Sequence, residues 1–267
     1  MGTPSSSGTG SAPGTATPPG TTAGARALCT AGWLAVAAVA LGLLVAVRWP
    51  PLVHTDRTVA GDLHRMARAS PDWTEANRIL TDWAWDPWTM RAVLVVFVGW
   101  LVWRGVRVLA AWVAATSVVG TLLQQGLKAL LDRPRPVWPD PVDSAHYASF
   151  PSGHAMTATV AGGLALWVLA ERGAPVVWRR VVATLAVVSV LGVGCTRLYL
   201  GVHWLSDVLA GWLLGAALVA AAAGLYTRLA SAAATTPPDA EKPSGPATAP
   251  PEAGKPAGPA STPPNAE

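Results

Sequence analysis

The sequence predicts an all-α protein, a membrane bundle of six transmembrane helices between two polar tails, and three observations predict it. Hydrophobic residues fill 51% of the 267 positions and charged residues 13%, a balance that belongs to membrane proteins and not to soluble domains. The apolar residues are gathered into long runs, and six of these approach the roughly 20 residues that a hydrocarbon core of about 30 Å requires. Fourteen tryptophans stand against two phenylalanines. Indole rings favour the bilayer interface, and Trp33, Trp49, Trp88, Trp103, Trp178 and Trp204 read as markers of run ends.

Taken in order, residues 1–25 are Gly, Ser, Thr, Pro and Ala, too polar to offset ordering entropy, and are expected to be disordered. The first span, about 27–47, follows this long neutral tail and exceeds the usual apolar length of a signal peptide, so it reads as a retained anchor. Residues 48–87 carry charges of both signs, with Val59, Leu63 and Met66 at helical spacing. A helix lying at the interface and a polar loop with one short helix both fit, and nothing in this stretch looks catalytic. Further spans are read at 88–104, 107–127, 153–171, 179–196 and 206–227. The Pro-, Ala-, Glu- and Lys-containing stretch 231–267 is again expected to be disordered, leaving 26–230 as the folded domain.

Arg104 and Arg107 fall on one side of the membrane, and Arg172, Arg179 and Arg180 return to that side after two further crossings. The positive-inside rule makes this side cytoplasmic. Both termini are then cytoplasmic, and the loops near 128–152 and 197–205 lie at the outer face of a cell membrane.

A net charge of +4, with arginines scattered between apolar runs, does not make a nucleic-acid surface, so no nucleic-acid partner is expected. Cys29 and Cys195 lie inside predicted spans without metal-ligand spacing and read as packing thiols.

The two outer loops hold nearly all of the polar groups that composition does not explain. In LKALLDRPRPVWP, Lys128 ends the third span and Pro134 and Pro136 forbid a continuing helix, so the chain turns and can aim Arg133 and Arg135 back toward the helix ends. Lysine supplies a point charge and arginine a planar fork that holds two phosphate oxygens. Alone, such a cluster reads as a topology signal or a headgroup contact, but here it sits on the side that the positive-inside rule disfavours.

In FPSGHAMTA, Pro151 permits a helix start, Ser152 is a favoured cap and Gly153 allows close backbone approach. Free amides at such a start form an anion site, with His154 in the first turn. In TRLYLGVHWLSDVLAGW, His203 and Asp207 stand at i and i+4 on one helical face, six to ten residues after Arg197. An aspartate there can take a hydrogen from one imidazole nitrogen and leave the other free as a nucleophile. A capping Ser-Gly pair and a structural His–Asp tie are the ordinary readings of each stretch in isolation. The six-span topology changes their weight by bringing Lys128, Arg135, His154, Arg197, His203 and Asp207 to one membrane face, where ionisable groups are costly.

Residues 128–136 fit K-x6-R-P, residues 151–154 read P-S-G-H and residues 197–207 fit R-x5-H-x3-D. In this combination, over about residues 88–227, the chain resembles the type 2 phosphatidic acid phosphatase (PAP2) superfamily, which also includes vanadium-dependent haloperoxidases and bacterial acid phosphatases. Thr196 stands where the family usually has serine, and Leu205 where relatives often have proline.

The resemblance implies a PAP2-type bundle in which Lys128, Arg135, Ser152, Gly153 and Arg197 bind phosphate. His154 is then the general acid, His203 the nucleophile and Asp207 its orienting partner. It further implies no metal and no cofactor, because the cations and helix amides supply the charge that Mg²⁺ gives other phosphotransferases. With His203 neutral and His154 protonated at the start, a bell-shaped pH profile is expected.

The expected enzyme is a membrane lipid phosphatase acting through a phosphohistidine. Phosphatidate, phosphatidylglycerol phosphate and undecaprenyl diphosphate all present a terminal phosphate to these motifs, which do not choose among them. A haloperoxidase is disfavoured by the spans. A non-catalytic lipid-binding or transport protein on the same scaffold is disfavoured by the presence of both histidines and the aspartate. Lipid and bilayer are the expected partners, and oligomeric state stays open.

Overall fold

The structure is a computed structural model that describes residues 19–235. Among the described residues every regular element is helical. Six helical stretches among the described residues are long and apolar enough to cross a membrane: α1 (Pro19–Ala46), the stretch Pro71–Trp103 that ends in α4 (Pro87–Trp103), α5 (Arg107–Leu131), α6 (Gly153–Glu171), α7 (Val176–Tyr199) and α8 (Leu205–Thr235). α2 (Pro50–Ala69) lies between the first two, and α3 (Pro71–Ile79) with a π-helical turn at Leu80–Ala84 leads into α4. The protein is a multi-pass membrane bundle.

The six predicted spans all appear, 153–171 with the same bounds and the others shifted or extended at their ends. Residues 19–25 and 231–235, expected in the tails, continue α1 and α8, because each helix finds a partner in the other. The rest of both tails lies outside the described residues.

Helix ends follow local chemistry. Asp86 caps α4 by accepting from the Trp88 and Thr89 amides at 2.8 and 3.1 Å, with Pro87 at the first helical position. Asp132, in the left-handed region at φ 36°, ends α5, and Pro134 prevents its resumption.

Lipid tails are as apolar as leucine, so helices in a bilayer associate through close packing and not through expulsion of water. The contacts reflect this. A Cβ on Gly211 of α8 would stand 2.8 Å from the Ser152 carbonyl oxygen, and one on Gly215 would stand 3.0 Å from that of Met156, so α6 and α8 touch backbone to backbone. Gly24 of α1 and Gly224 of α8 make a similar contact. The largest buried cluster joins α4, α5 and α6 through Leu101, Leu109, Val113, Leu164 and Val168. Tyr226 of α8 completes it, edge-on to Trp112 and Trp167.

Outward faces carry exposed apolar side chains such as Val95, Val96, Val118, Leu122, Val187 and Val188, as a lipid-facing surface requires. Trp88, Trp103 and Trp178 are exposed at helix ends, and Trp49 is exposed just before α2. One reading is corrected: Trp33 lies in the middle of α1. Trp204 stands directly before α8, and its indole donates to the Pro134 carbonyl at 2.9 Å. Cys29 and Cys195 are corrected too, since both are exposed on helix surfaces and do not pack inside.

The stretch 48–87 is a helical cover at the same end of the bundle as the loops 132–152 and 200–204. Its buried stripe is Asp56, Ala60, His64 and Ala67, one position along from the Val59, Leu63 and Met66 that the apolar spacing picked out, and Met66 is exposed. Small alanines let α2 approach α7 and α8, while His64 stacks on Trp138 with ring centroids 4.2 Å apart. Arg78 of α3 fastens the cover by donating to the Val142 carbonyl in the loop 132–152.

Candidate active site

At this end of the bundle a cavity of about 520 Å³ opens between the start of α4, the end of α5 and the loop 132–152. Lys128, Arg135, Gly153, His154, Arg197 and His203 line it, together with Trp88, Arg91, Gln124, Gln125 and His146. Six of the eight predicted site residues thus share one space. Their arrangement follows from where each helix begins or stops.

Lys128, in the last turn of α5, donates to the Ala148 carbonyl of the facing loop. The left-handed Asp132 then turns the chain, and the two arginines of the RPR segment part company. Arg135 points into the cavity, donating to the Val202 carbonyl at 2.6 Å and to the Tyr147 carbonyl at 2.9 Å. Arg133 turns away, to the rear of the site. Arg197, buried near the end of α7, has Nη1 3.7 Å from Asp143 Oδ2 and 3.4 Å from Thr81 Oγ1. Its Nε has no partner among the described residues, so this guanidinium keeps capacity for an anion.

His203 is fully buried in the short link between α7 and α8. Its Nδ1 faces Asp207 Oδ2 at 3.4 Å and its Nε2 faces Arg135 Nη1 at 3.1 Å. Burial pushes the imidazole down to about 3, with the hydrogen bond to Asp207 opposing this and Arg135 adding to it. The ring is therefore neutral at neutral pH, as a nitrogen nucleophile must be. An arginine can only donate, so Nε2 accepts from Arg135, and the ring proton resides on Nδ1, toward Asp207.

Asp207, at the start of α8, does not reach the cavity; it lies behind His203. Its Oδ2 accepts from the Ser149 hydroxyl at 2.5 Å and from the Trp204 amide at 2.9 Å. Its Oδ1 accepts from Arg133 Nη1 at 2.6 Å. Ser152 departs from the sequence reading in two ways. It occupies the position before α6, but its hydroxyl makes no capping bond, and it does not line the cavity. Close packing against α8 explains this, since the Ser152 amide donates to the Asp207 carbonyl at 3.0 Å and its buried Oγ has no partner among the described residues. Gly153 keeps the predicted close approach, with a Cβ there standing 2.7 Å from the Gln124 amide nitrogen.

Two contributors escaped the sequence reading: Ser149 joins the dyad from the loop, and Asp56 reaches in from α2. Arg133, read from sequence only as part of the basic cluster, links Asp56 to Asp207. A periodic signal for Asp56 does exist: it heads the Asp56, Ala60, His64, Ala67 stripe, where a small-residue face carries polar groups. Among the described residues no group of three or more His, Cys, Asp or Glu side chains could hold a metal ion.

Residues 106–230 match the sequence model of the PAP2 superfamily. Over this segment, a little under half of its length, the chain is similar to the PAP2 superfamily. The matched segment runs from α5 to α8 and holds all eight predicted site residues, whereas Asp56 and Thr81 lie outside it. Among PAP2 relatives, the chain is 29% identical over 211 residues to the phosphatidylglycerophosphatase B of Escherichia coli (strain K12), covering 61% of this chain and 79% of that one. It is 28% identical over 143 residues to the undecaprenyl-diphosphatase of Sulfolobus acidocaldarius, covering 50% of this chain and 59% of that one. Its fold matches the crystal structure of a transmembrane PAP2 type phosphatidylglycerolphosphate phosphatase from Bacillus subtilis, with a TM-score of 0.61, 22% identity and coverage of 74% of this chain and 96% of that one.

Proposed function

We propose that this protein removes the terminal phosphate of a membrane lipid through a phosphohistidine formed on His203. The coarser statement, a membrane lipid phosphatase, follows from the family and the named relatives. The finer one rests on a single arrangement: His203, neutral and backed by Asp207, ends at a cavity whose other walls present Lys128, Arg135, Arg197 and His154.

In the proposed sequence, the three cations and the first amides of α6 hold the phosphate oxygens. His203 Nε2 attacks phosphorus as the bond to the lipid oxygen breaks. The electron pair of that bond stays on the lipid oxygen, which takes a proton from His154. Water, deprotonated by His154, then attacks the phosphohistidine, releasing inorganic phosphate and neutral His203. Each preorganised donor is worth on the order of 10²–10³ in rate by analogy with oxyanion holes.

The arginines at the other end of the bundle, Arg104, Arg107, Arg172, Arg179 and Arg180, support an outer-face site with both termini cytoplasmic. The cavity opens beside the start of α4 and the end of α5, which lets a headgroup enter while its tails remain in lipid. Phosphatidylglycerol phosphate is the first substrate to try, since two of the matches are named for it, with undecaprenyl diphosphate second.

The test is phosphate release in EDTA by detergent-solubilised protein, from phosphatidylglycerol phosphate, phosphatidate and undecaprenyl diphosphate. His203→Ala is the control. Release that vanishes in His203→Ala, with ³²P retained on wild-type protein after acid-free quenching of labelled substrate, is the expected result. No release from any of the lipids by folded protein would turn the reading toward lipid binding or transport.

A further inference from the structure

The buried rear of the site contains a charged chain that the catalytic scheme does not use. Arg133 spreads its two terminal nitrogens between two carboxylates: Nη1 donates to Asp207 Oδ1 at 2.6 Å and Nη2 donates to Asp56 Oδ2 at 2.7 Å. Both aspartates are almost completely buried, at 1% exposure for Asp56 and 0% for Asp207, so neither has water to fall back on. Ser206 locks the junction. Its hydroxyl donates to Asp56 Oδ2 at 2.6 Å, its amide donates to Asp56 Oδ1 at 2.9 Å, and its Oγ accepts from Arg133 Nη1 at 2.7 Å.

The geometry points to Asp56 as a positioning residue for the reaction, one that holds Arg133 to a single oxygen of Asp207 and so reserves the other oxygen for His203.

A guanidinium facing one isolated carboxylate prefers the two-pronged arrangement, with two parallel N–H bonds to both oxygens. Were Arg133 to take it, Oδ2 of Asp207 would be drawn into the ion pair. Oδ2 is the oxygen that faces His203 Nδ1 at 3.4 Å and accepts from Ser149 and the Trp204 amide. Asp56 occupies the second prong of the fork and prevents this. Asp56 sits on α2, outside the segment shared with the family, so the orientation of the dyad depends on a helix that the motifs do not include. Removing one partner of a buried charge pair is costly, whereas Asn at position 56 keeps the shape and one acceptor oxygen while removing the charge.

This inference rests on the catalytic role proposed for His203, and its test separates the two. In Asp56→Asn, kcat falls by about 10–100-fold, the range seen when the outer partner of an oriented ligand side chain is lost, and KM stays within about threefold. On an Asp207→Asn background the same substitution has no further effect, because the oxygen it protects no longer carries the charge. Ser206→Ala, which leaves all charges in place and serves if Asp56→Asn does not fold, lowers kcat about three- to tenfold.

Independently of turnover, the Nδ1 proton resonance of His203 in histidine-labelled protein moves upfield in Asp56→Asn as its bond to Asp207 weakens. Wild-type kcat in Asp56→Asn, an equal loss on the Asp207→Asn background, or an unmoved His203 resonance each overturns the positioning role. Inactive wild-type protein, by contrast, sinks the phosphatase reading, and the resonance still decides the role of Asp56.

Discussion

Arg135 Nη1 stands 3.1 Å from Nε2 of His203, on the side of the ring opposite Asp207. The guanidinium proposed to bind phosphate thus faces the ring nitrogen proposed to attack it. In that reaction phosphate, a stronger acceptor than a neutral ring nitrogen, would draw Arg135 away and uncover Nε2. Arg135→Ala is expected to cost on the order of 10²–10³ in kcat/KM. Arg135→Lys restores only part of this, because an ammonium cannot serve phosphate as a fork. Full activity in Arg135→Ala, measured as phosphate release, would remove it from the site.

The pH dependence follows from His203. Its folded value, pushed down to about 3, lies below the ordinary histidine range, so the neutral, competent form is present above that value and is lost only as pH falls through it. The bell-shaped profile expected from sequence therefore receives no acid limb from His203 between pH 5 and 9. A pH profile of kcat/KM should show no loss assignable to this ring above about pH 4. An acid limb near 6.5 that disappears when Asp207 is replaced would contradict this assignment.

Arg133→Gln should unfold the site before it alters chemistry. It leaves Asp56 and Asp207 buried without their shared cation, a change that costs about 3–5 kcal/mol for buried pairs. A thermal-shift measurement in detergent should show the midpoint falling, and Arg133→Lys recovering only part of it. A midpoint equal to wild type in Arg133→Gln would contradict the ion-pair account.

Gly211→Ala tests the α6–α8 contact. The new Cβ would stand 2.8 Å from the Ser152 carbonyl oxygen, a backbone atom that cannot swing aside. Overpacking of this kind costs about 1–3 kcal/mol, and here it also displaces the first turn of α6, which carries His154. Both the thermal midpoint and kcat should drop. Gly32→Ala, with no atom within 4 Å of its Cβ, is the neutral control.

The six spans were legible because length and apolarity are enough to define a membrane helix, and lipid leaves few alternatives. The front of the site was legible for a different reason. Lys128, Arg135, His154, Arg197 and His203 are charged or polar groups at the ends of apolar runs, where few residues compete for attention. The rear was not legible. Asp56 lies in a stretch rich in charge, where its small-residue stripe is masked by the neighbouring apolar spacing of Val59, Leu63 and Met66, and its partners Arg133 and Ser206 are 77 and 150 positions away. Ser152 was misread because the cap preference of serine is a local tendency, and packing of α6 on α8 determined its surroundings instead.

The contact between Gly24 and Gly224 brings the beginning of α1 beside the far end of α8. These two helix ends therefore lie side by side on the face away from the cavity. Joined through a linker at this seam and reopened in the Arg172–Pro175 turn on the same face, a circular permutant of the described helices is expected to keep every cross-chain bond at the cavity end, so that the order of synthesis would be separated from the order of assembly.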